Sequence, residues 1–471
     1  MIRNTLLFML AISILMGCTT MAPDYHRPLP PVPAEWPEGP AYKKSDIQKT
    51  DSTISEIAWQ DFYVDQKMQK TIELALKNNR DLRTSMLNVE KTRALYRIQR
   101  AEMFPAINAT GAWTEQRIPA DISSESDEAM NFKQYSAGVG VSSWEIDFFG
   151  RLRSLKDRTL EQFLASEQAA RSARISLVAE VAKVYLALAA DRENQKLAEL
   201  TLATQNTTHN LIKRRYEMGV SSELDLQQSQ TRLDAARVDV AKYVRQVALD
   251  ENALNLLVGS QVPTEFLPDK LRVVAAPKDI SAGLSSEVLL NRPDILQAEH
   301  LLKAANANIG AARAAFFPRI FLTTSIGTTS DQLSGLFAAG SNTWTFMPQV
   351  TMPIFDVRVW AAADAIKVER EIALAQYEKA IQTGFREVAD VLAWRGTVDD
   401  QLTAQESLVK ASSETYRLSD ARYKKGLDSY LPSLDAQRSL YAAQQGQISL
   451  LLAKLNNFVT FYKVLGGGIA R

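Results

Sequence analysis

The feature that most constrains this chain is a run without proline or glycine from Arg151 to Met218, which ends at Gly219. A helix of that length would extend roughly 100 Å at about 1.5 Å per residue, farther than an ordinary globular domain is wide. A second run, from Val357 to Lys425, contains two glycines and also ends at a glycine, Gly426. Each terminal glycine is followed by another long helical pattern, so the sequence predicts a very long helical hairpin twice.

Alternating residues precede each long helix. Two stretches, 107–113 and 135–141, alternate apolar residues with small or polar ones, which is the two-residue period of a strand with one apolar face. Two further stretches of this kind begin at Phe321 and Trp344. The sequence therefore predicts two strands ahead of each long hairpin.

The order of elements also repeats along the chain. Asp81 to Pro105 spans 24 positions, and so does Asp294 to Pro318, with two strands and a long hairpin after each. We infer an internal duplication from this order. The predicted organisation is a lipoprotein signal peptide at 1–17, a lipidated Pro-rich extended segment at 18–64, a first structural repeat at 65–262, a linker at 263–284, and a second repeat with the C-terminal tail at 285–471.

The first residues carry a targeting signal. Arg3 precedes an apolar run that is too short to span a bilayer as a stable helix but has the length of a signal peptide. The run closes with Leu15-Met16-Gly17-Cys18, which resembles the bacterial lipoprotein box and makes Cys18 the predicted lipidated N-terminus. Thr19 rather than aspartate after the cysteine indicates an outer-membrane destination. An ordinary signal peptide followed by an incidental cysteine is the alternative, and Met16 leaves the efficiency of processing open.

Composition argues against several classes of function. The chain has 54 Lys plus Arg and 54 Asp plus Glu, so its formal net charge is zero. It therefore has no overall electrostatic attraction for a nucleic acid or an acidic partner. One cysteine cannot form an internal disulfide, and three histidines far apart in sequence do not suggest a metal site. No Gly-x-Ser-x-Gly or Walker motif is present. We therefore expect no enzyme activity, no cofactor and no metal.

The number of strands bears on assembly. Four strands of roughly ten residues could cross an outer membrane when tilted, but an open four-stranded sheet would expose its edges to lipid. Three copies would supply twelve strands, an even number within the range of bacterial barrels. The predicted fold class is mixed α and β, mostly α: a trimeric 12-stranded transmembrane β-barrel continuous with a long periplasmic α-helical barrel, with an internal two-fold repeat.

Longer phrases resemble a known family. The phrases 144–151 (WEIDFFGR), 375–382 (AQYEKAIQ) and 434–440 (LDAQRSL) are similar to the outer-membrane efflux lipoproteins of the TolC-related outer membrane factor family, in particular OprM. The resemblance covers nearly the whole chain. It implies a homotrimer in the outer membrane that serves as exit duct for drugs and small amphiphiles in a tripartite pump. The implied partners are a periplasmic membrane-fusion (adaptor) protein and an inner-membrane transporter of the resistance-nodulation-division (RND) type.

Other functions remain open at this point. Within the duct class, a type I protein secretion or metal-ion efflux system is the alternative. A periplasmic helical lipoprotein scaffold that never spans the membrane is a competing hypothesis from the class of binding proteins. The exported compounds, the particular adaptor and pump, and the opening mechanism cannot be read from the sequence.

The resemblance also implies where function is located. In OprM-like proteins the periplasmic aperture is held by a basic residue, a leucine and an aspartate, which fall on Lys424, Leu431 and Asp435. Lysine in place of the expected arginine disfavours a bidentate pair. Gly219 and Gly426 are expected at the hairpin turns, where the adaptor makes contact. The plain alternatives are ordinary packing for Leu431, an exposed helix charge for Asp435, and simple helix ending for the glycines.

Overall fold

The structure, a computed structural model, describes residues 20–42, 57–119, 129–277 and 285–467. Cys18 and the predicted signal peptide lie outside these residues. The α-helices are α1 (Trp59–Phe62), α2 (Gln66–Asn78), α3 (Arg80–Ala101), α4 (Arg151–Glu217), α5 (Glu223–Val258), α6 (Pro293–Ala314), α7 (Val357–Lys424) and α8 (Tyr430–Val464). The strands are β1 (Ile107–Ile118), β2 (Met130–Ile146), β3 (Arg319–Ser330) and β4 (Asn342–Thr351).

The predicted repeat of elements is present. A shorter helix, two strands and two hairpin helices occur as α3-β1-β2-α4-α5 and again as α6-β3-β4-α7-α8. The predicted long helices are confirmed, because α4 has 67 residues and α7 has 68. The domain boundaries given above stay a prediction.

The residues divide into two compact units. The strand unit comprises Met1–Leu29, Asn88–Ser166 and Gln297–Tyr377. The hairpin unit comprises Pro30–Leu87, Glu167–Leu296 and Glu378–Arg471. No helix within the described ranges has the length and apolar content that crossing a bilayer requires.

The strand unit contains one antiparallel sheet in the order β1-β2-β3-β4. The strands are longer than predicted, since β1 and β2 stay paired as far as Ile118 opposite Met130. Polar side chains do not interrupt a ladder that is made by the backbone, and here Glu115 and Lys133, which face each other, are 3.3 Å apart.

One face of the sheet is apolar on all four strands. Residues directly opposite each other in a ladder share a face, so the register identifies the whole set. The apolar members of this face are Ile107, Ala109, Trp113, Tyr135, Val139, Val141, Trp144, Ile146, Ile320, Leu322, Ile326, Trp344, Phe346 and Val350. The same face also carries the Glu115–Lys133 pair and some polar residues, among them Thr324 and Thr328. The opposite face carries mainly small and polar side chains, among them Thr110, Ser136, Ser325 and Thr345.

A β-bulge in β2 keeps this face continuous. The pairing with β3 shifts between Val141 and Trp144, which are an odd number of residues apart. Without an extra residue, Trp144 would therefore point to the polar face. Ser143 takes the left-handed conformation, with φ of 51°, and its N–H donates to Thr323 Oγ1 at 3.1 Å.

Residues 20–29, called the N-terminal strap below, lie along α6 within the strand unit. The strap runs antiparallel to the helix. Three contacts follow in order along it: Arg313 Nη1 donates to the Met21 carbonyl at 3.1 Å, Asn306 Nδ2 to the Pro23 carbonyl at 2.7 Å, and Arg27 Nη2 to Glu299 Oε2 at 2.6 Å. A Cβ at Gly310 would lie 2.6 Å from the Ala22 nitrogen, so only glycine permits this approach.

The hairpin unit has a continuous apolar core. An apolar stripe on α4 belongs to this core, because Val178, Val181, Tyr185 and Leu188 are all at most 4% exposed. An aromatic stack joins other elements of this unit, with the ring centroids of Phe62 (α1) and Tyr462 (α8) 4.2 Å apart. Burial on one side is the main source of stability for such helices.

Candidate functional site

The two predicted hairpin turns have the same backbone geometry. Gly219 and Gly426 both have φ of 73°, the left-handed region that glycine enters without steric cost. The N–H of Gly219 donates to the Tyr216 carbonyl and that of Val220 to the Arg215 carbonyl, each at 2.9 Å. The second turn repeats both bonds, at 2.9 and 3.0 Å. Each turn is a Schellman motif, which satisfies carbonyls that the helix end leaves free.

Conformation rather than crowding requires glycine at these turns. A Cβ at Gly219 or at Gly426 would meet no atom within 4 Å. The helix after the first turn begins with a capping box, in which Ser222 Oγ accepts the N–H of Asp225 and the Asp225 side chain accepts the N–H of Ser222. The helix after the second turn has Ser429 at the N-cap but no side-chain cap hydrogen bond.

A small apolar cluster joins the four helices beside the turns. Its buried members are Ile212 of α4, Tyr423 of α7, and Tyr430 and Leu434 of α8, and Leu226 of α5 packs against them. The rings of Tyr423 and Tyr430 are 5.0 Å apart between centroids. The cluster therefore fixes the two hairpins to each other at this point.

Charged contacts reinforce the same region. Arg422 donates from Nε and Nη2 to the two carboxylate oxygens of Asp428 at 2.6 and 2.9 Å, so a bidentate pair spans the second turn. This hydrogen bond raises the pKa of Arg422 and lowers the pKa of Asp428. The guanidinium carbon of Arg215 lies 5.3 Å from the centroid of the Tyr423 ring. That cation–π contact links the first hairpin to the second.

Lys424, the predicted basic residue of the aperture, is the last residue of α7. Its Nζ lies 2.7 Å from Asp420 Oδ2, one helical turn earlier. The hydrogen bond to Asp420 raises the pKa of Lys424. The charge of Lys424 is thus paired within its own helix, whereas the other two predicted residues lie on α8.

Leu431 and Asp435 share one exposed face of α8, since they are four residues apart. Leu431 is 52% exposed, although its neighbours Tyr430 and Leu434 are buried. Asp435 lies 3.5 Å from Arg438 on the same helix and its side chain is 53% exposed. This face presents an apolar side chain followed by a carboxylate to whatever lies next to it.

Sequence reasoning missed the apolar cluster and the Arg422–Asp428 pair. The available signal was a tyrosine before each glycine, Tyr216 and Tyr423, and a second tyrosine, Tyr430, soon after the second turn. Whether such a tyrosine is buried depends on packing against the other hairpin. Tyr423, for example, lies in the same buried cluster as Ile212. Local spacing could not supply that contact.

Comparison with known proteins is consistent across sequence and structure. The family model for the outer membrane efflux protein matches residues 71–260 and 284–467. The toluene efflux pump outer membrane protein TtgC of Pseudomonas putida is 47% identical over 466 residues, which is 99% of this chain and 96% of that protein. The outer membrane protein OprJ of Pseudomonas aeruginosa is 41% identical over 463 residues, covering 98% of this chain and 95% of that protein.

A solved structure has the same fold. The open state of the Neisseria gonorrhoeae MtrE outer membrane channel superposes with a TM-score of 0.85 at 36% identity. The match covers 96% of this chain and 99% of that one. The predicted fold class, mostly helical with four strands and two repeats in each chain, is confirmed.

Proposed function

We propose a function from one premise: this chain belongs to the outer membrane efflux protein family, whose model covers both of its halves. The chain is the outer-membrane channel, or exit duct, of a tripartite RND-type multidrug efflux pump. It passes drugs and small amphiphiles from the periplasmic pump assembly to the exterior. Its partners are two further copies of itself, a periplasmic membrane-fusion (adaptor) protein and an inner-membrane RND transporter.

The two-faced sheet is the observation that carries this proposal. A barrel wall that separates lipid from a water-filled lumen needs apolar side chains on one face and small or polar ones on the other. The register of all four strands supports that division, from Ile107 on β1 to Val350 on β4. Trp113 and Trp344 on the apolar face are 60% and 75% exposed in the single chain, and lipid would cover them.

The open edges of the sheet support assembly with copies of the same chain. Within the sheet, β1 pairs only with β2 and β4 only with β3. Because neighbouring strands are antiparallel throughout, β4 of one copy can pair with β1 of the next without breaking the alternation. Three copies close a barrel of twelve strands, and closure removes backbone groups that lipid could not satisfy.

The glycine turns support a docking role at the hairpin ends. The side chains beside Gly219 and Gly426 include exposed apolar residues, with Met218 68%, Val220 63% and Leu427 63% exposed. Exposed apolar groups next to ion pairs are typical of a protein contact. We assign this surface to the adaptor protein, and Lys424, Leu431 and Asp435 to the periplasmic aperture.

The direction of the strap supports a lipid anchor at Cys18. Because the strap runs antiparallel to α6, its first described residues lie beside the helix end that leads into β3. An acyl chain on Cys18, two residues before Thr20, would then enter the leaflet next to the sheet. Each buried CH₂ of such a chain contributes about 0.8 kcal/mol.

The relatives are channel proteins rather than enzymes. We extend this to the present chain, which has no catalytic activity of its own. The inner-membrane transporter supplies the energy for export. Similarity to a toluene efflux channel favours small apolar or amphiphilic cargo. Deleting the gene should lower the inhibitory concentrations of several unrelated drugs, and a plasmid copy should restore them. Unchanged drug resistance with loss of a secreted protein or of metal tolerance would favour the alternative duct systems.

The aperture assignment has a test of its own. In the double variant Leu431→Ala with Asp435→Ala, the apolar ring and the ring of carboxylates are both removed, so conductance in planar bilayers should rise severalfold. Leu224→Ala is the matched control. Leu224 follows Gly219 as Leu431 follows Gly426, and it is 66% exposed on the first hairpin. Equal conductance of the double variant and the wild type would refute the assignment.

A further inference from the structure

An open cavity lies between the start of the N-terminal strap and the end of α6. It has a volume of about 540 Å³ and is lined by Thr20, Met21, Ala22, Arg313, Phe316 and Phe317. All of these residues belong to the strand unit. The volume is within the usual range for a ligand site.

The cavity lies at the sheet end where the helices meet the strands. Phe317 is two residues before β3, and the first pair of the β3–β4 ladder, Arg319 with Thr351, belongs to this same end. Phe316 contacts Trp360 edge to face with ring centroids 5.0 Å apart, and Trp360 is 65% exposed. Exposed aromatic side chains beside a membrane-spanning sheet mark the membrane–water interface.

Arg313 supplies a positive charge that no carboxylate among the described residues compensates. One N–H of its guanidinium donates to the Met21 carbonyl at 3.1 Å, which leaves further donors of the planar group for a ligand. Within the ranges that the structure describes, no carboxylate lies within ion-pair distance of Arg313 or of the exposed Arg319. This differs from Arg151 and Arg153 in the same unit, which pair with Glu145 and Asp147.

We propose that this cavity binds an anionic phospholipid of the periplasmic leaflet, with the phosphate on Arg313 and the acyl chains against Phe316, Phe317 and Trp360. The proposal rests on the outer-membrane location given above. Arginine suits a phosphate because its planar donors bond two oxygens at once. The aromatic side chains cover the first methylenes, and the strap forms the wall on the periplasmic side.

Native mass spectrometry of the detergent-extracted protein tests the site. Delipidated protein is titrated with phosphatidylglycerol and, separately, with phosphatidylcholine of the same acyl chains. The wild type should retain phosphatidylglycerol more strongly. Arg313→Gln should weaken that retention about tenfold, as expected for the loss of a charge-assisted hydrogen bond.

Arg358→Gln is the matched control, because Arg358 is an exposed arginine of the same unit whose guanidinium is held by Asp356 at 2.9 and 2.8 Å. It should leave retention unchanged. Equal retention of the two lipids, or retention that survives Arg313→Gln, would overturn the proposal. If phosphatidylglycerol binds only to the Cys18→Ala variant, the cavity of the wild type holds the chain's own acyl group instead. An adduct with the mass of inorganic phosphate alone would exclude a lipid.

Conductance separates this proposal from the duct itself. The same variants are measured in bilayers of phosphatidylcholine. A conducting Arg313→Gln protein with undiminished phosphatidylglycerol retention rejects only the lipid site. A wild type that never conducts rejects the duct, whatever its lipid retention.

Discussion

The carboxyl groups of Asp250 and Glu299 show how the neighbours of a single residue decide the direction of its pKa shift. Burial is the main cause that raises the pKa of Asp250 of α5 to about 6. The neighbouring carboxylate of Asp191 in α4 acts in the same direction. Burial acts in the same direction on Glu299, but hydrogen bonds from Arg27 and Lys303 outweigh it and lower the pKa of Glu299. The sign of the shift is thus decided by the partner, since both carboxyl groups lose contact with water.

The Asp250 pair predicts a dependence on pH. Its Oδ2 is buried and has no hydrogen-bond partner among the described residues, so the folded state favours the protonated form of Asp250. Below the ordinary pKa of 3.8 both states of the protein hold this proton, whereas above about 6 the folded state has lost it and carries the full penalty. Stability from this pair therefore falls as pH rises from about 4 to about 6.

Asp250→Asn should remove that penalty, because an amide donates to Asp191 at every pH. At pH 7.5 we expect hydrogen-exchange protection of the neighbouring α5 amides to rise severalfold, or about 1 kcal/mol after solvent screening. Near pH 4 the variant and the wild type should agree. Glu223→Gln is the control, because Glu223 is an exposed carboxyl residue of α5. A gain that is the same at both pH values would contradict the raised pKa of Asp250.

Equivalent polar residues tie helices together in both repeats. Asn79, directly before α3, donates from Nδ2 to the Leu257 carbonyl near the end of α5 at 2.7 Å. Arg292, before α6, donates from Nη1 to the carbonyl of Val464, the last residue of α8, at 2.8 Å. In each half the start of the shorter helix therefore caps the end of the return helix, which would otherwise leave carbonyls free.

Asn79 makes a second bond that can be tested separately. Its Oδ1 accepts the N–H of Leu82 at 2.7 Å, so it is also the N-cap of α3. Asn79→Ala should cost about 1–3 kcal/mol because it leaves two buried groups unsatisfied. Asn79→Asp keeps the cap of α3, but it loses the donor to Leu257 and places a carboxylate oxygen against that carbonyl. Hydrogen exchange should show faster exchange at both helix ends in the first variant and mainly at the end of α5 in the second.

The exposed Asn88 of α3 provides the control for this prediction. Asn88→Ala should leave exchange at the ends of α3 and α5 unchanged. If Asn79→Ala behaves like Asn88→Ala, the two hydrogen bonds do not stabilise the repeat.

At the scale of the whole molecule, one chain provides part of a wall. The outer edges of β1 and β4 have no strand beside them in the sheet. In the proposed trimer, closure through these edges would come from backbone hydrogen bonds and apolar burial, whereas an acyl chain on Cys18 would add only membrane affinity. We therefore expect assembly and anchoring to be separable.

Cys18→Ala should abolish acylation and still allow trimers to form. Mass spectrometry of the N-terminal peptide checks the first part, and light scattering of the detergent-extracted protein checks the second. Cys18→Ser provides the matched variant with a retained polar atom but no thioether link. A complete loss of trimers in both variants would show that the anchor is needed for closure.

The sequence by itself determined the elements of this protein, because they depend on short-range properties. Helix length follows from the absence of breakers between Arg151 and Gly219, and each turn needs a glycine for its left-handed φ. The alternation of β1 and β3 likewise indicated one apolar face. The assignment of Lys424, Leu431 and Asp435 to the aperture came from the family resemblance and stays a prediction.

The tertiary structure decided which groups meet. The bulge at Ser143 that returns Trp144 to the apolar face is invisible in the sequence, since it exists only relative to the register of β3. The effect of Asp191 on the pKa of Asp250 joins groups 59 positions apart (250 minus 191), and the caps at Asn79 and Arg292 span still longer separations. Such contacts depend on burial and pairing between distant segments, which local periodicity does not encode.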